Sequence, residues 1–432
     1  MNRESTDTHY DVIVVGGGTA GVIAATQAGR AGAQTLLVEK NGMLGGTVTV
    51  GGINAPAHFF AWGEQIIGGI AWELMCKTWE ETGHPIPTPE YTRDTAGPPH
   101  LTMDKEIFAA LCDEIVIDAG VDLLFHTMPA AVSLADDRWT VTLCTKTGLR
   151  KVETQVLVDA TGDANVVGLA GFPLVRSEVV QPATLSMGFS GYDVEDLDFE
   201  ALRAASEEAI AAGELTTTDI SWRDDGPEAL LRKYGRNGNH VRAPDAETSE
   251  GRTAVEVEAR QAMLRAYRFF RKQPGLENFR VDWISPEVGI RETVTIKGKA
   301  TVTVEDYEAG KVYEDAVCYA FYPIDEHLND GMGFNARRLD PHVLPTIPRG
   351  SLLPAGSRFL IVAGRCLSSD REANSALRVE CPCFAMGQAA GAMAALSAER
   401  GVDPEALPLA DVYALLRAHD AIIPGDVTLD RE

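Results

Sequence analysis

The sequence predicts an α/β protein in which a parallel sheet is interrupted by an inserted mixed α/β unit. Three observations carry this reading. Residues 11–15 (DVIVV) form a short apolar run that fits a buried strand, and Gly16-Gly17-Gly18-Thr19-Ala20-Gly21 follows at once. A small-residue stretch, VIAATQAGRAG, leads to a second apolar run at 34–39 (QTLLVE). The hydrophobic period therefore changes from strand to helix and back, as in a βαβ unit. Further buried-strand runs recur at 155–160 (QVLVDA) and 359–363 (FLIVA), with a long polar stretch between them.

The remaining elements follow in order. Residues 42–70 are rich in glycine, and 72–82 have helical spacing. Pro85, Pro87, Pro89, Pro98 and Pro99 mark an irregular connection. Residues 103–119 read as an amphipathic helix, and 121–125, 131–134 and 139–144 as strands. The stretch from 190 to 260 is polar and partly helical, with a turn-rich RNGNH at 236–240. A long helix is predicted over 253–272 and sheet at 293–304 and 315–322. A small-residue helix over 384–397 is opened by Gly387-Gln388-Ala389-Ala390-Gly391. A discontinuous domain over 1–190 and 346–432, holding an inserted domain over 191–345, accounts for this order.

Charge and composition narrow the function. Among 432 residues, 63 are acidic and 38 basic, a net charge of −25. A field of that sign repels phosphate backbones and anionic lipid, so neither nucleic acid nor a membrane is expected as partner. Seven Cys with no CxxC argue against a secreted disulfide framework. The polar start MNRESTDTHY lacks an apolar signal core, and no run reaches the roughly 18 apolar residues of a membrane span. A cytoplasmic protein with a small-molecule substrate is expected, a homodimer being the default assembly. The nine His contain no HxH or HExxH spacing, so no metal site is expected.

Gly16-x-Gly18-x-x-Gly21 carries the first chemistry. Gly16 permits a tight turn, Gly18 lets a pyrophosphate approach the backbone, and Gly21 lets helix pack on strand. The phosphate then sits at the helix N-terminus beside Thr19 and Ala20. Glu39 closes the second strand, where a carboxylate accepts hydrogen bonds from ribose hydroxyls. An acidic residue there disfavours a 2′-phosphate, hence NADP, and leaves NAD and FAD open. Asp159-Ala160-Thr161-Gly162-Asp163 ends one buried strand and Gly364-Arg365 follows another.

With these residues, the Leu44-Gly45-Gly46 loop, GIRET (289–293), YPID-x-H (322–327), SLLP (351–354), VAGRCLS (362–368) and Arg378 through GQAAG, nearly the whole chain resembles bacterial FAD-dependent oxidoreductases. The resemblance implies the glutathione-reductase-like fold, a three-layer ββα, Rossmann-like FAD-binding domain. The inserted unit is then a substrate or cap domain. It implies FAD as cofactor, held by Gly16, Gly18, Thr19, Ala20, Gly21, Glu39, Lys40, Gly45, Gly46, Thr47, Pro129, Ala160, Thr161, Gly162, Asp163, Gly364, Arg365 and Arg378. The last helix is implied to aim its N-terminus at the flavin, where its dipole favours negative charge. Two departures stand out. Pro129 falls where the family has an apolar residue whose backbone pairs with adenine, and only its carbonyl can do so. Arg371 falls where the family often has His, which points to a different, anionic substrate.

Three residues are candidates for catalysis. His327, in a predicted loop, can take a proton as hydride leaves the substrate, or merely cap a turn. Arg291 can clamp a carboxylate or stabilise an alkoxide, with a structural salt bridge as the competing reading for it and for Glu292. Arg371 is assigned to substrate contact. Cys381 and Cys383 are read as packing, because one intervening Pro382 makes a strained redox pair. His58-Phe59-Phe60-Ala61-Trp62 either walls the substrate site or packs in the core. The expected reaction is oxidation of a small organic substrate by hydride transfer to flavin N5, with electrons passed to an acceptor the sequence does not identify. The alternatives are a monooxygenase or ene-reductase fed by NAD(P)H, and a non-redox flavoprotein lyase or hydratase. No second GxGxxG is present (GMG at 331–333 lacks the third Gly), so a separate NAD(P)H domain is not expected.

Overall fold

Five short apolar strands align in parallel because both of their faces are buried. In the computed structural model, which describes residues 8–88, 102–221, 226–328 and 333–429, they lie in the order Asp122–Leu124, Thr35–Val38, His9–Val15, Gly148–Asp159 and Leu360–Val362. Strand Gly148–Asp159 is 12 residues long and serves two layers. Its end (157–159) pairs in parallel with the last strand. Its beginning pairs antiparallel with Arg138–Thr145, which pairs in turn with Met128–Ala135. Trp139, buried, donates its indole N–H to the Phe359 carbonyl at 3.0 Å and pins this meander to the last strand.

The helical layer is built around two apposed helices, Thr19–Arg30 and Glu380–Arg400. Small residues bring their backbones together. A Cβ on Gly387 would collide with the Ala20 carbonyl, and one on Gly391 with the Ala24 carbonyl. The GQAAG run therefore lies within helix Glu380–Arg400 and does not open it. The helix begins one turn earlier than its small-residue pattern indicated, and Pro382 is accommodated because the first-turn N–H groups need no intrahelical partner.

Beyond the sheet, 294–296 pairs with 174–176, and 316–319 with 346–348. The sheet expected over 293–304 is thus confined to Val294–Ile296, and Thr303 then caps a short helix, Val304–Glu308. His327 is not in a loop. It ends strand Ile324–His327, which pairs with Phe334–Arg337. The long helix runs over Ser249–Phe270, capped by the Thr248 side chain at the Gly251 amide. Pro85 and Pro87 lie in irregular chain, as expected, whereas Pro89, Pro98, Pro99 and most of the GMG at 331–333 fall outside the described residues.

Apolar packing separates the chain differently from the 191–345 boundaries. Val294, Val302, Tyr307, Val317, Ile324 and Ile347 share one cluster with the parallel sheet. Met187, Phe189, Leu230, Phe270 and Phe279 form a second cluster, and Leu185, Val241, Ala259 and Val288 a third. Among the described residues, no helix is long and apolar enough to cross a membrane. Gly391→Val should force the two central helices apart, a cost of about 1–3 kcal/mol for overpacking, and lower the thermal unfolding midpoint. An unchanged midpoint would contradict this packing.

Candidate active site

The glycine turn lies where four parallel strands end together. Gly16 N–H donates to Val38 O at 2.8 Å, Ala160 N–H to Val15 O at 2.8 Å, and Ala363 N–H to Asp159 O at 3.0 Å. Gly16 adopts φ +104°, and a Cβ there would strike the Ala160 backbone. Gly18 is different. A Cβ on it would meet only the Gly46 Cα, at 3.9 Å, so the backbone stands open on that side. Gly18 also caps helix Thr19–Arg30 with no side-chain partner and no acidic residue in the first turn, which leaves the helix-end amides to an anion. The Leu44-Gly45-Gly46 loop closes against this turn, with Gly45 N–H donating to Gly17 O at 2.9 Å.

Glu39 is buried beside the turn. Its carboxylate accepts from Gly17 N–H at 2.6 Å and Asn41 N–H at 2.8 Å, and its own carbonyl accepts from Thr127 N–H at 3.1 Å. Pro129 lies in strand Met128–Ala135, at a register shift. Lys40 is ion-paired with Glu287, and Thr47 is exposed.

Asp159 and Asp163 divide the work of the DATGD turn. Asp159, fully buried, accepts from Thr161 and from the Val166 and Val167 amides, so it caps helix Asn165–Leu169. Burial raises its pKa against those bonds. Asp163 reaches outward, accepting from Arg365, from the Thr293 hydroxyl at 2.8 Å and from Arg252 at 3.1 Å. Arg365 also donates to the Gly162 carbonyl at 2.9 Å and to the Ile290 carbonyl. Asn374 donates to Arg365 O at 2.9 Å. The structure thus brings together the glycine turn, DATGD, GIRET and Gly364-Arg365.

The inserted strands meet the glycine-rich loop on the far side. Glu287 N–H donates to Val50 O at 3.3 Å, and Gly52 (φ +71°) packs against Ser186 and Ser285. Both serine hydroxyls are buried with no hydrogen-bond partner. Orphaned polar atoms against the glycine-rich loop fit a bound dinucleotide with a polar ring edge.

His327 sits next to this junction. Its Nε2 lies 3.4 Å from Asp325 Oδ2, its Nδ1 lies 2.9 Å from His240 Nε2, and its N–H donates to Gln181 Oε1 at 3.1 Å. Burial, reinforced by the Arg291 charge, lowers His327 to about 4 despite Asp325. Burial alone would raise Asp325, but the His327 hydrogen bond and the His327, Arg378 and Arg291 charges hold it at about 2. An ionised Asp325 places the His327 proton on Nε2, so Nδ1 accepts from His240. Asp325 and His240 went unrecognised in the sequence. A strand reading of YPIDEH would have placed Asp325 and His327 on one face.

Arg291 is buried and donates to Pro182 O at 2.7 Å, Thr184 Oγ1 at 2.9 Å and Asn237 Oδ1 at 3.2 Å. Arg371 begins helix Arg371–Leu377 and is committed to two carboxylates, Glu292 at 3.2 Å and Glu326 at 2.6 Å. The salt bridge expected around Glu292 is therefore made by Arg371, not Arg291. Cys381 and Cys383 are both free thiols. Burial pushes Cys383 up to about 12 and raises Cys381 well above the ordinary thiol value, which leaves them unreactive. Phe59 and Phe60 pack on Trp72 in the core, and His58 lies over Tyr322.

This arrangement, a parallel-sheet glycine turn with a buried carboxylate at the second strand, is that of a dinucleotide-binding protein. Residues 11–416 match the FAD dependent oxidoreductase family, and the chain belongs to it. FAD is its cofactor. A dihydrolipoyl dehydrogenase of Trypanosoma brucei brucei is 53% identical over 53 residues, 12% of this chain and 11% of that one. Among solved structures, a geranylgeranyl bacteriochlorophyll reductase-like protein of Thermoplasma acidophilum is 14% identical, covering 95% of this chain and 83% of that one with a TM-score of 0.44. A p-nitrophenol 4-monooxygenase of Pseudomonas putida is also 14% identical, covering 95% and 85% with a TM-score of 0.40.

Glu39→Ala should weaken FAD retention by about 1.5–3 kcal/mol, the scale of hydrogen bonds to a charged group. A variant that keeps FAD through dialysis as wild type does would contradict the placement of the adenosine.

Proposed function

We propose that the protein oxidises a small organic substrate, taking hydride from a C–H bond and a proton from the adjoining hydroxyl or amine. FAD, when bound, supplies the two-electron acceptor at N5. The observation that carries this reading is the buried pair His327–His240, backed by Asp325, at the junction of the inserted strands and the glycine-rich loop.

The residues divide the proton work by geometry. Neutral His327 has both ring nitrogens engaged, so His240 is the ring that meets the substrate proton. As His240 gains that proton it can pass its Nε2 proton to His327 Nδ1, and Asp325 stabilises the resulting imidazolium. His327 and Asp325 are then positioning residues for His240. Arg365 and the backbone of 45–46, 160–163 and 364 hold the cofactor, with Glu39 at its ribose. The substrate domain is proposed to be the unit cored by the 187–279 cluster. Seven free Cys support a cytoplasmic setting.

Anaerobic mixing with a metabolite panel tests the reading. One class of metabolite should bleach the flavin, whereas bleaching by NAD(P)H alone would contradict it. His327→Ala should keep its FAD and slow flavin reduction about 10²-fold. The wild-type rate should be flat between about pH 5 and 8 and fall as pH drops through about 4, where His327 gains its proton. A rate that stays level through pH 4 would remove His327 from the relay.

A further inference from the structure

The structure assigns a carboxylate-binding site to Arg291, Arg378, Gln181 and Asn239, so the substrate is a small carboxylic acid bearing an oxidisable hydroxyl or amine. This rests on the oxidation reading above and names the substrate class for it.

The argument starts from donors that lack acceptors. Gln181 is fully buried, and its Oε1 accepts from the His327 amide at 3.1 Å and Arg378 at 3.2 Å. Two donors on that oxygen fix the amide orientation, and Nε2 is left without a partner. Asn239 is also fully buried. Its Oδ1 accepts from Leu185 N–H at 3.1 Å, and its Nδ2 is left without a partner. The Arg378 Nε is buried and unpartnered as well. Three buried N–H groups on residues bonded to one another, or one residue from His240, thus await an acceptor, a costly state unless something fills it.

Charge points the same way. The acceptors of the Arg291 guanidinium are all neutral, and among the described residues no carboxylate lies within ion-pair distance of it. Arg378 is 3.8 Å from Asp325, the one carboxylate the two guanidiniums share. Arg371 is matched by Glu292 and Glu326, and Arg365 by Asp163. Glu380, the next carboxyl near Arg378, is pushed by burial to about 7 and is not a full counter-charge. Two guanidiniums, one ionised Asp325 and a neutral His327 leave one positive charge. Burial and the Arg378 charge lower Arg291 to about 9, the mark of a cation short of its anion. A carboxylate supplies one negative charge and two acceptor oxygens for several donors, whereas a phosphate dianion would exceed the charge available. The anion contact expected of Arg371 passes to Arg291 and Arg378.

The test titrates the purified FAD-loaded protein with sodium propionate, with neutral propionamide, and with sodium chloride at matched ionic strength. The readouts are the flavin visible difference spectrum and the thermal unfolding midpoint. Propionate should give a saturable spectral change and a raised midpoint, and propionamide and chloride neither. Gln181→Leu and Arg378→Lys should each weaken propionate at least tenfold. Equal responses to propionate and propionamide, or no response to either, would overturn the assignment. If the protein held no FAD, the oxidation reading would fall, and the propionate midpoint shift would still decide the anion site.

Discussion

The carboxylate of Asp163 ties the molecule together. It is the point at which Arg365, from the loop after the last parallel strand, Arg252, from the long inserted helix, and Thr293, from the GIRET segment, meet the end of the central strand. Each partner comes from a different stretch of chain, so no local preference assembles them. Removing one member of such a half-buried network leaves the other charges without compensation, and that cost exceeds the net gain of forming the pair. The loop geometry that holds a cofactor depends on this one side chain.

Around that point, glycine and buried charge have complementary tasks. The glycines of the first turn and of the 45–46 loop let two backbones close on each other and leave Gly18 open. Gly387 and Gly391 do the same for the two central helices. Charged side chains then set the electrostatics within this frame. Arg371 is neutralised by two carboxylates, while Arg291 has neutral hydrogen-bond partners only. Two residues of one type, both predicted to meet substrate, are separated by what lies next to them.

The nucleotide-binding half of the fold was legible because its signals are local. An apolar run, three spaced glycines and an acidic residue at the next strand end occur within 30 residues, and the structure places Glu39 at Gly17 as that spacing requires. The contact between His240 and His327 was not legible, because the two are 87 residues apart and only His327, in YPID-x-H, stood out. Asp325 and His327 alternate as strand neighbours do, yet proline and the acidic residues around them read as loop. The start of helix Glu380–Arg400 was obscured by Pro382, which belongs in a first turn as readily as in a loop. Asp370, which caps helix Arg371–Leu377 at the Ala373 amide, was the available sign that Arg371 is helical.

Flavin content of Asp163→Asn tests the central claim most directly, since the substitution keeps shape and removes charge. The account predicts a folded protein by far-ultraviolet circular dichroism that holds FAD at least tenfold more weakly, a loss of about 1.4 kcal/mol or more. A folded variant that binds FAD as tightly as wild type would contradict it.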